Sequence, residues 1–236
     1  MKRFVTVFVA LLLTACGDDD SSGVSTLGPA TTNRSDAAGS AVSAPSSGGS
    51  PAAGARRCLV RLHGKGGSGA ETTTDGDVTV ISPTGNSDGW GAKQWLYFPD
   101  DEYEDARRIV ADSIDGCGAV IVNGFSNGAS FAASLYCHGE TFDGRLVGVV
   151  VDDPVTDHAV DGCAPDPSVA VTLYATGALE ATATPGWSCG DSDWTCEGGE
   201  TIGIDAYAAA LGTEARQSPF TEHEWYVDAP EVRAFA

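Results

Sequence analysis

From Arg57 onward, short apolar runs alternate with segments of helical composition, and turn residues separate them. Arg57-Cys-Leu-Val-Arg-Leu62 alternates and then runs apolar, which predicts a strand. Asp77-Val-Thr-Val-Ile-Ser82 predicts a second strand, closed by Pro83-Thr-Gly85. Acids at Asp100, Asp101 and Glu102 open a periodic segment running to about Ile114; carboxylates there favour the positive end of a helix, so a helix is expected. Ala119 to Val122 is β-branched and apolar, as in a buried strand, and a small-residue segment ending near Cys137-His138-Gly139 follows as a helix. Leu146–Val151 and Val169–Tyr174 predict two further buried strands. A helix is expected over about Ile202 to Leu211, then a short extended stretch, Ala215 to Phe220.

The residues before Arg57 follow different rules. Met1-Lys2-Arg3 and the apolar Phe4 to Leu13 form a charged n-region and a short h-region, too short to span a bilayer. Leu13-Thr14-Ala15-Cys16, followed by Gly17-Asp-Asp-Asp20, resembles a bacterial lipoprotein signal. Residues 1–15 are therefore expected to be removed and Cys16 to be lipidated. From there to residue 56 the chain is Ser, Gly, Ala, Thr, Pro and Asp with almost no large apolar side chain. Such a composition buries too little surface to offset the entropy of ordering, so a flexible tether is expected, with a reach of roughly 35 Å. Residues 57–236 are long enough for one domain with a single core.

Charge and cysteines narrow the setting. Removing Lys2 and Arg3 from the 13 basic residues leaves 11 against 33 acidic ones, a net charge of −22. That surface repels polyanions, so nucleic acid is excluded as a partner, as is an anionic membrane bound through basic patches. With Cys16 set aside, Cys58, Cys117, Cys137, Cys163, Cys189 and Cys196 form an even set, and three disulfides are expected in an exported domain. Fifteen pairings are open. Cys189 with Cys196 would close a local loop, Cys58 and Cys117 stand at strands that are often neighbours, and Cys137 could reach Cys163. The cysteines lack metal-ligand spacing, so neither a metal nor a cofactor is expected.

Three stretches carry candidate chemistry. Gly124-Phe-Ser126-Asn-Gly128 sits between the predicted strand and helix, in the order strand, sharp turn, helix that exposes a serine nucleophile. His63-Gly-Lys-Gly-Gly-Ser-Gly69 follows the first strand; its glycines free backbone N–H groups to face an anion, and it lacks the spacing of a phosphate loop. Thr221-Glu-His223-Glu-Trp225 supplies a histidine late in the chain. Of the other histidines, His63 is expected to order its loop, His138 to cap a helix, and His158 falls too early for the order Ser, acid, His.

Together these stretches resemble an α/β-hydrolase, of the compact secreted type that includes polyhydroxybutyrate depolymerase-like and feruloyl esterase-like proteins. The resemblance covers residues 57 to 225. It implies a predominantly parallel sheet with helices on both faces and no large lid. It also implies Ser126 as nucleophile, His223 as general base, and an oxyanion hole from the backbone of Lys65, with Gly66 beside it, and of Asn127. For the triad acid it points to Glu180, in Thr176-Gly-Ala-Leu-Glu180, where the family usually carries aspartate. Asp153 is the main alternative, and Asp191 and Asp193 are others. His223-Glu224-Trp225 lacks the glycine that commonly precedes the family's histidine. The expected protein is a monomeric serine esterase in the cell envelope, lipid-anchored to a bacterial membrane and facing outside the cytoplasm. A non-catalytic binding lipoprotein and a thioesterase or peptidase are the competing readings.

Overall fold

The computed structural model describes residues 56–87, 93–176 and 202–236. Their elements, in chain order, are β1 (Arg56–Leu62), β2 (Ala70–Asp75), β3 (Val78–Ser82), α1 (Asp100–Ser113), β4 (Cys117–Phe125), α2 (Asn127–Cys137), β5 (Leu146–Asp152), a 3-10 turn (His158–Val160), β6 (Ala170–Ala175), α3 (Ile204–Leu211), β7 (Ala215–Gln217) and α4 (Pro230–Phe235). The seven strands form one sheet in the order β2-β3-β1-β4-β5-β6-β7. Every neighbouring pair is parallel except β2 with β3. This is the α/β-hydrolase arrangement: a mostly parallel sheet with its crossover helices on one face, the C-terminal helix on the other, and a central strand that runs into the sharp turn at Ser126.

The period-two alternation of the strands divides the core. Cys58, Val60 and Leu62 of β1, Val120 and Val122 of β4, and Val149 and Val151 of β5 point to the face covered by α1, α2 and α3. Leu59, Ile121 and Val150 point to the opposite face, where Ala229 and Val232 of the C-terminal segment cover them. Helix α2 is buried along its whole length, and Gly128 in its first turn lies against the end of β1, where a Cβ would meet the Leu62 carbonyl oxygen at 2.3 Å. Helix α3 stops at Gly212, whose left-handed φ of 69° closes the last turn.

Two disulfides join described residues. Cys58–Cys117 ties the starts of adjacent strands β1 and β4, and Cys137–Cys163 ties the end of α2 to the loop before β6. Both pairings agree with the expectation. Disulfides form and persist in oxidising compartments, which argues against the cytoplasm. Cys189 and Cys196 lie outside the described residues. Two elements were not expected. Strand β2 is exposed at all six positions, and α4 is a single short helix held by Glu231, which accepts from Tyr174 Oη at 2.9 Å and from Arg216 at 2.6 Å.

Candidate active site

Ser126 is the sole residue between the end of β4 and the start of α2. Its φ of 55° and ψ of −122° are strained for a residue with a side chain. Backbone bonds hold it there: its N–H donates to the Asp152 carbonyl at 3.0 Å, and its own carbonyl accepts from Ala129 and Ser130 at 2.9 and 3.1 Å. The flanking glycines are sterically required. A Cβ on Gly124 would lie 2.2 Å from the Gly128 carbonyl oxygen, and one on Gly128 would lie 2.3 Å from that of Leu62.

The glycine-rich loop after β1 passes directly over this turn, since a Cβ on Gly64 would meet Ser126 Cβ at 3.0 Å. Gly67 N–H closes the loop on the Gly64 carbonyl at 3.0 Å, with Gly66 at φ 84° in the position that demands glycine. His63 orders this loop. Its Nε2 accepts from Gly85 N–H at 3.0 Å, so Nδ1 carries the proton and donates to the Gly64 carbonyl at 2.8 Å. Burial lowers the His63 pKa, against the opposing effect of that carbonyl, and the ring stays neutral. Gly66 N–H donates to the Lys93 carbonyl at 2.8 Å, so it braces the loop and is not directed at an anion. Of the other expected oxyanion donors, Asn127 directly follows Ser126 as the first residue of α2, and Lys65 directly follows Gly64 in the loop that meets Ser126.

His223 stands over the same turn. Its ring stacks on Phe125 with centroids 4.5 Å apart, and Trp225 lies beside Phe125 at 5.7 Å. The loop bearing it is pinned twice to strand ends: Trp225 Nε1 donates to Asn123 Oδ1 at 2.6 Å, and Tyr226 N–H donates to Asp152 Oδ2 at 2.5 Å.

The carboxylate at His223 Nδ1 is Asp153, 2.5 Å away and almost fully buried. Burial alone would raise its pKa. Its bonds from His223 and from the hydroxyl and N–H of Thr176, at 2.7 and 3.0 Å, outweigh that and bring it below the ordinary carboxylate value. Asp153 takes this place because it leaves β5 with φ 49° while its N–H bonds to the Tyr174 carbonyl at 2.8 Å. Glu180, the acid to which the resemblance points, lies outside the described residues, as do Asp191 and Asp193. Beside Asp153, Asp152 is buried and its pKa is pushed up to about 7 by burial first and by the neighbouring Asp153 charge.

The remaining histidines lie elsewhere. His138 caps α2, with Nδ1 2.8 Å from the Ser134 carbonyl and its ring on Tyr103. His158 packs on Phe98 and Tyr97. Both border a cavity of about 250 Å³ lined also by Ser134, two to three helical turns along α2 from Ser126. Sequence reasoning missed the supporting residues Asn123, Phe125, Asp152 and Thr176. Their signal was adjacency alone, since each sits within three residues of a named group or of the end of a predicted strand. Among the described residues, no group of three or more His, Cys, Asp or Glu is placed to hold a metal ion.

No protein-family model matches the chain. No curated protein matches it either. Among solved structures it is similar to the Bacillus cereus carboxylesterase, at 19% identity over 76% of this chain and 86% of that one, with a TM-score of 0.48. It is also similar to acyl-protein thioesterase 2 of Zea mays, at 17% identity over 78% and 92%, with a TM-score of 0.43. A third is a protein of unknown function from Agrobacterium tumefaciens str. C58, at 22% identity over 78% and 89%, with a TM-score of 0.43. Likeness at this level says nothing of substrate. The fold class rests on the chain's own sheet order and elbow.

Proposed function

We propose that the chain is an exported serine hydrolase acting on carboxylic esters, anchored to a membrane through a lipid on Cys16. The observation that carries this reading is the convergence on one turn of Ser126, with its strained elbow geometry, and of His223, which is bonded to the buried Asp153 and stacked on the adjacent Phe125. Asp153 holds the ring through Nδ1, which leaves Nε2 to take the Ser126 proton as its oxygen attacks the ester carbonyl. The tetrahedral oxyanion is held by the N–H groups of Lys65 and Asn127. His223 then protonates the departing alcohol, and water repeats the cycle on the acyl-enzyme. Asp153 stabilises the imidazolium formed in both halves and replaces Glu180 as the triad acid of this reading. Residues 57–236 form the catalytic domain, and residues 16–56 tether it.

Hydrolysis of a panel of p-nitrophenyl esters of increasing acyl length, with a matching thioester, tests the reaction class. Ser126→Ala is expected to abolish turnover while leaving thermal unfolding nearly unchanged. A Ser126→Ala protein that keeps its activity removes Ser126 as nucleophile.

A further inference from the structure

The two oxyanion donors come from different parts of the chain, Lys65 from the loop after β1 and Asn127 from the first turn of α2. Their separation must hold to within about half an ångström for both to meet one oxygen. Loop 64–67 is braced by two stretches, residues 85–87 and 93–95. Gly85 N–H bonds to His63 at 3.0 Å, and the Lys93 carbonyl accepts from Gly66 at 2.8 Å. The two stretches are joined to each other, because Ser87 and Gln94 exchange backbone bonds of 3.0 and 3.3 Å.

The second stretch is in turn gripped by a side chain next to the Ser126 turn. Asn127 Oδ1 accepts from Trp95 N–H at 2.7 Å, and Asn127 Nδ2 donates to the Trp95 carbonyl at 3.0 Å. One residue's donor and acceptor are matched, as in a strand bridge, which fixes the amide's orientation. Both residues are fully buried, and the Trp95 indole is wedged between Phe131 of α2, at 5.0 Å, and His63, at 5.6 Å. Among the twenty side chains, Asn has the length and the paired donor and acceptor for this contact. Asp supplies only the acceptor, Ala neither, and Gln is one methylene too long for a fully buried position.

We infer that the Asn127 side chain is the positioning residue of the oxyanion hole: while its own N–H serves as one donor, its amide grips Trp95 and thereby sets the position of the Lys65 loop that carries the other. This inference rests on the serine-hydrolase reading above. Loosening the grip leaves both backbone N–H groups in the molecule but changes their spacing, so the loss falls on the transition state and not on substrate binding.

The test compares wild type, Asn127→Ala and Asn127→Asp on p-nitrophenyl butyrate, with inhibition by an aryl trifluoromethyl ketone, whose serine adduct places an oxyanion in the hole. Each variant is first checked for folding by circular dichroism. Asn127→Asp, isosteric and still able to accept from Trp95 N–H, carries the test should Asn127→Ala not fold. The expected result is a fall in kcat of about 10- to 100-fold with KM within about twofold, and a loss of ketone affinity by the same factor as kcat/KM. A folded variant with kcat within about threefold of wild type overturns the inference, as does a rise in KM with kcat unchanged. If wild type itself hydrolyses none of the esters, the serine-hydrolase reading fails instead.

Discussion

At the level of single residues, the proposed activity turns on which carboxylate serves His223. Asp153 is buried, bonded to His223 Nδ1 and held by both polar groups of Thr176. Asp153→Asn keeps the shape but removes the charge that fixes the ring and stabilises its protonated form. Its kcat is expected to fall by about 10³- to 10⁴-fold, while Glu180→Gln stays close to wild type. The reverse pattern, read from kcat on a p-nitrophenyl ester, would return the role to Glu180.

Asp157 makes a separate prediction about stability. It is fully buried beneath Tyr97 Oη, and burial pushes its pKa up to about 7. The folded protein therefore keeps this proton through a range in which the unfolded chain, near pH 4, has already released it. The folded state binds more protons across that window, so this group's contribution to stability declines as pH rises from about 4 to about 7 and then levels off. Asp157→Asn removes the ionisation. Melting temperatures measured from pH 4.5 to 8 should show wild type losing ground to Asp157→Asn as pH rises. Parallel profiles would contradict the buried, protonated state.

At the scale of elements, the two described disulfides differ in the length of chain they close. Cys58–Cys117 spans 59 residues and Cys137–Cys163 spans 26. By chain-entropy arithmetic, these closures stabilise by about 4 and about 3.5 kcal/mol. Replacing the first pair by alanines should lower the urea midpoint at least as much as replacing the second. A negligible effect from the first would mean that the β1–β4 pairing in the unfolded chain is already restricted.

The elements also show what the sequence could reveal. Apolar runs located β1, β3, β4, β5 and β6, and periodicity with its acidic start located α1 to within a residue. Strand β2, Ala70-Glu-Thr-Thr-Thr-Asp75, is an exposed edge strand with no apolar face and so gave no pattern to find. Helix α4 is too short for periodicity to register. The site followed the same division. Ser126, its glycines and the His63 loop are local motifs and could be read directly. Asp153 could not, because its choice depends on where β5 ends beside β6 and on a loop some seventy residues away. That is a long-range property, hidden among 33 acidic side chains. The bond from Asn127 to Trp95 was hidden for the same reason.

At the level of the whole molecule, a domain stapled by disulfides fits an oxidising compartment outside the cytoplasm. Anchoring through Cys16 predicts that the protein expressed in a bacterial host partitions into the detergent phase of Triton X-114. Cys16→Ser should move it to the aqueous phase without altering kcat. Equal partitioning of the two would remove the lipid from the account.

The central claim is that Ser126 is a nucleophile activated by the Asp153–His223 pair. Labelling with a fluorophosphonate, followed by intact mass and peptide mapping, tests it without knowledge of the substrate. One adduct per chain on Ser126 is expected in wild type, with none in Ser126→Ala and markedly slower labelling in Asp153→Asn. A folded wild-type protein that takes up no label, or takes it up elsewhere, would contradict the account.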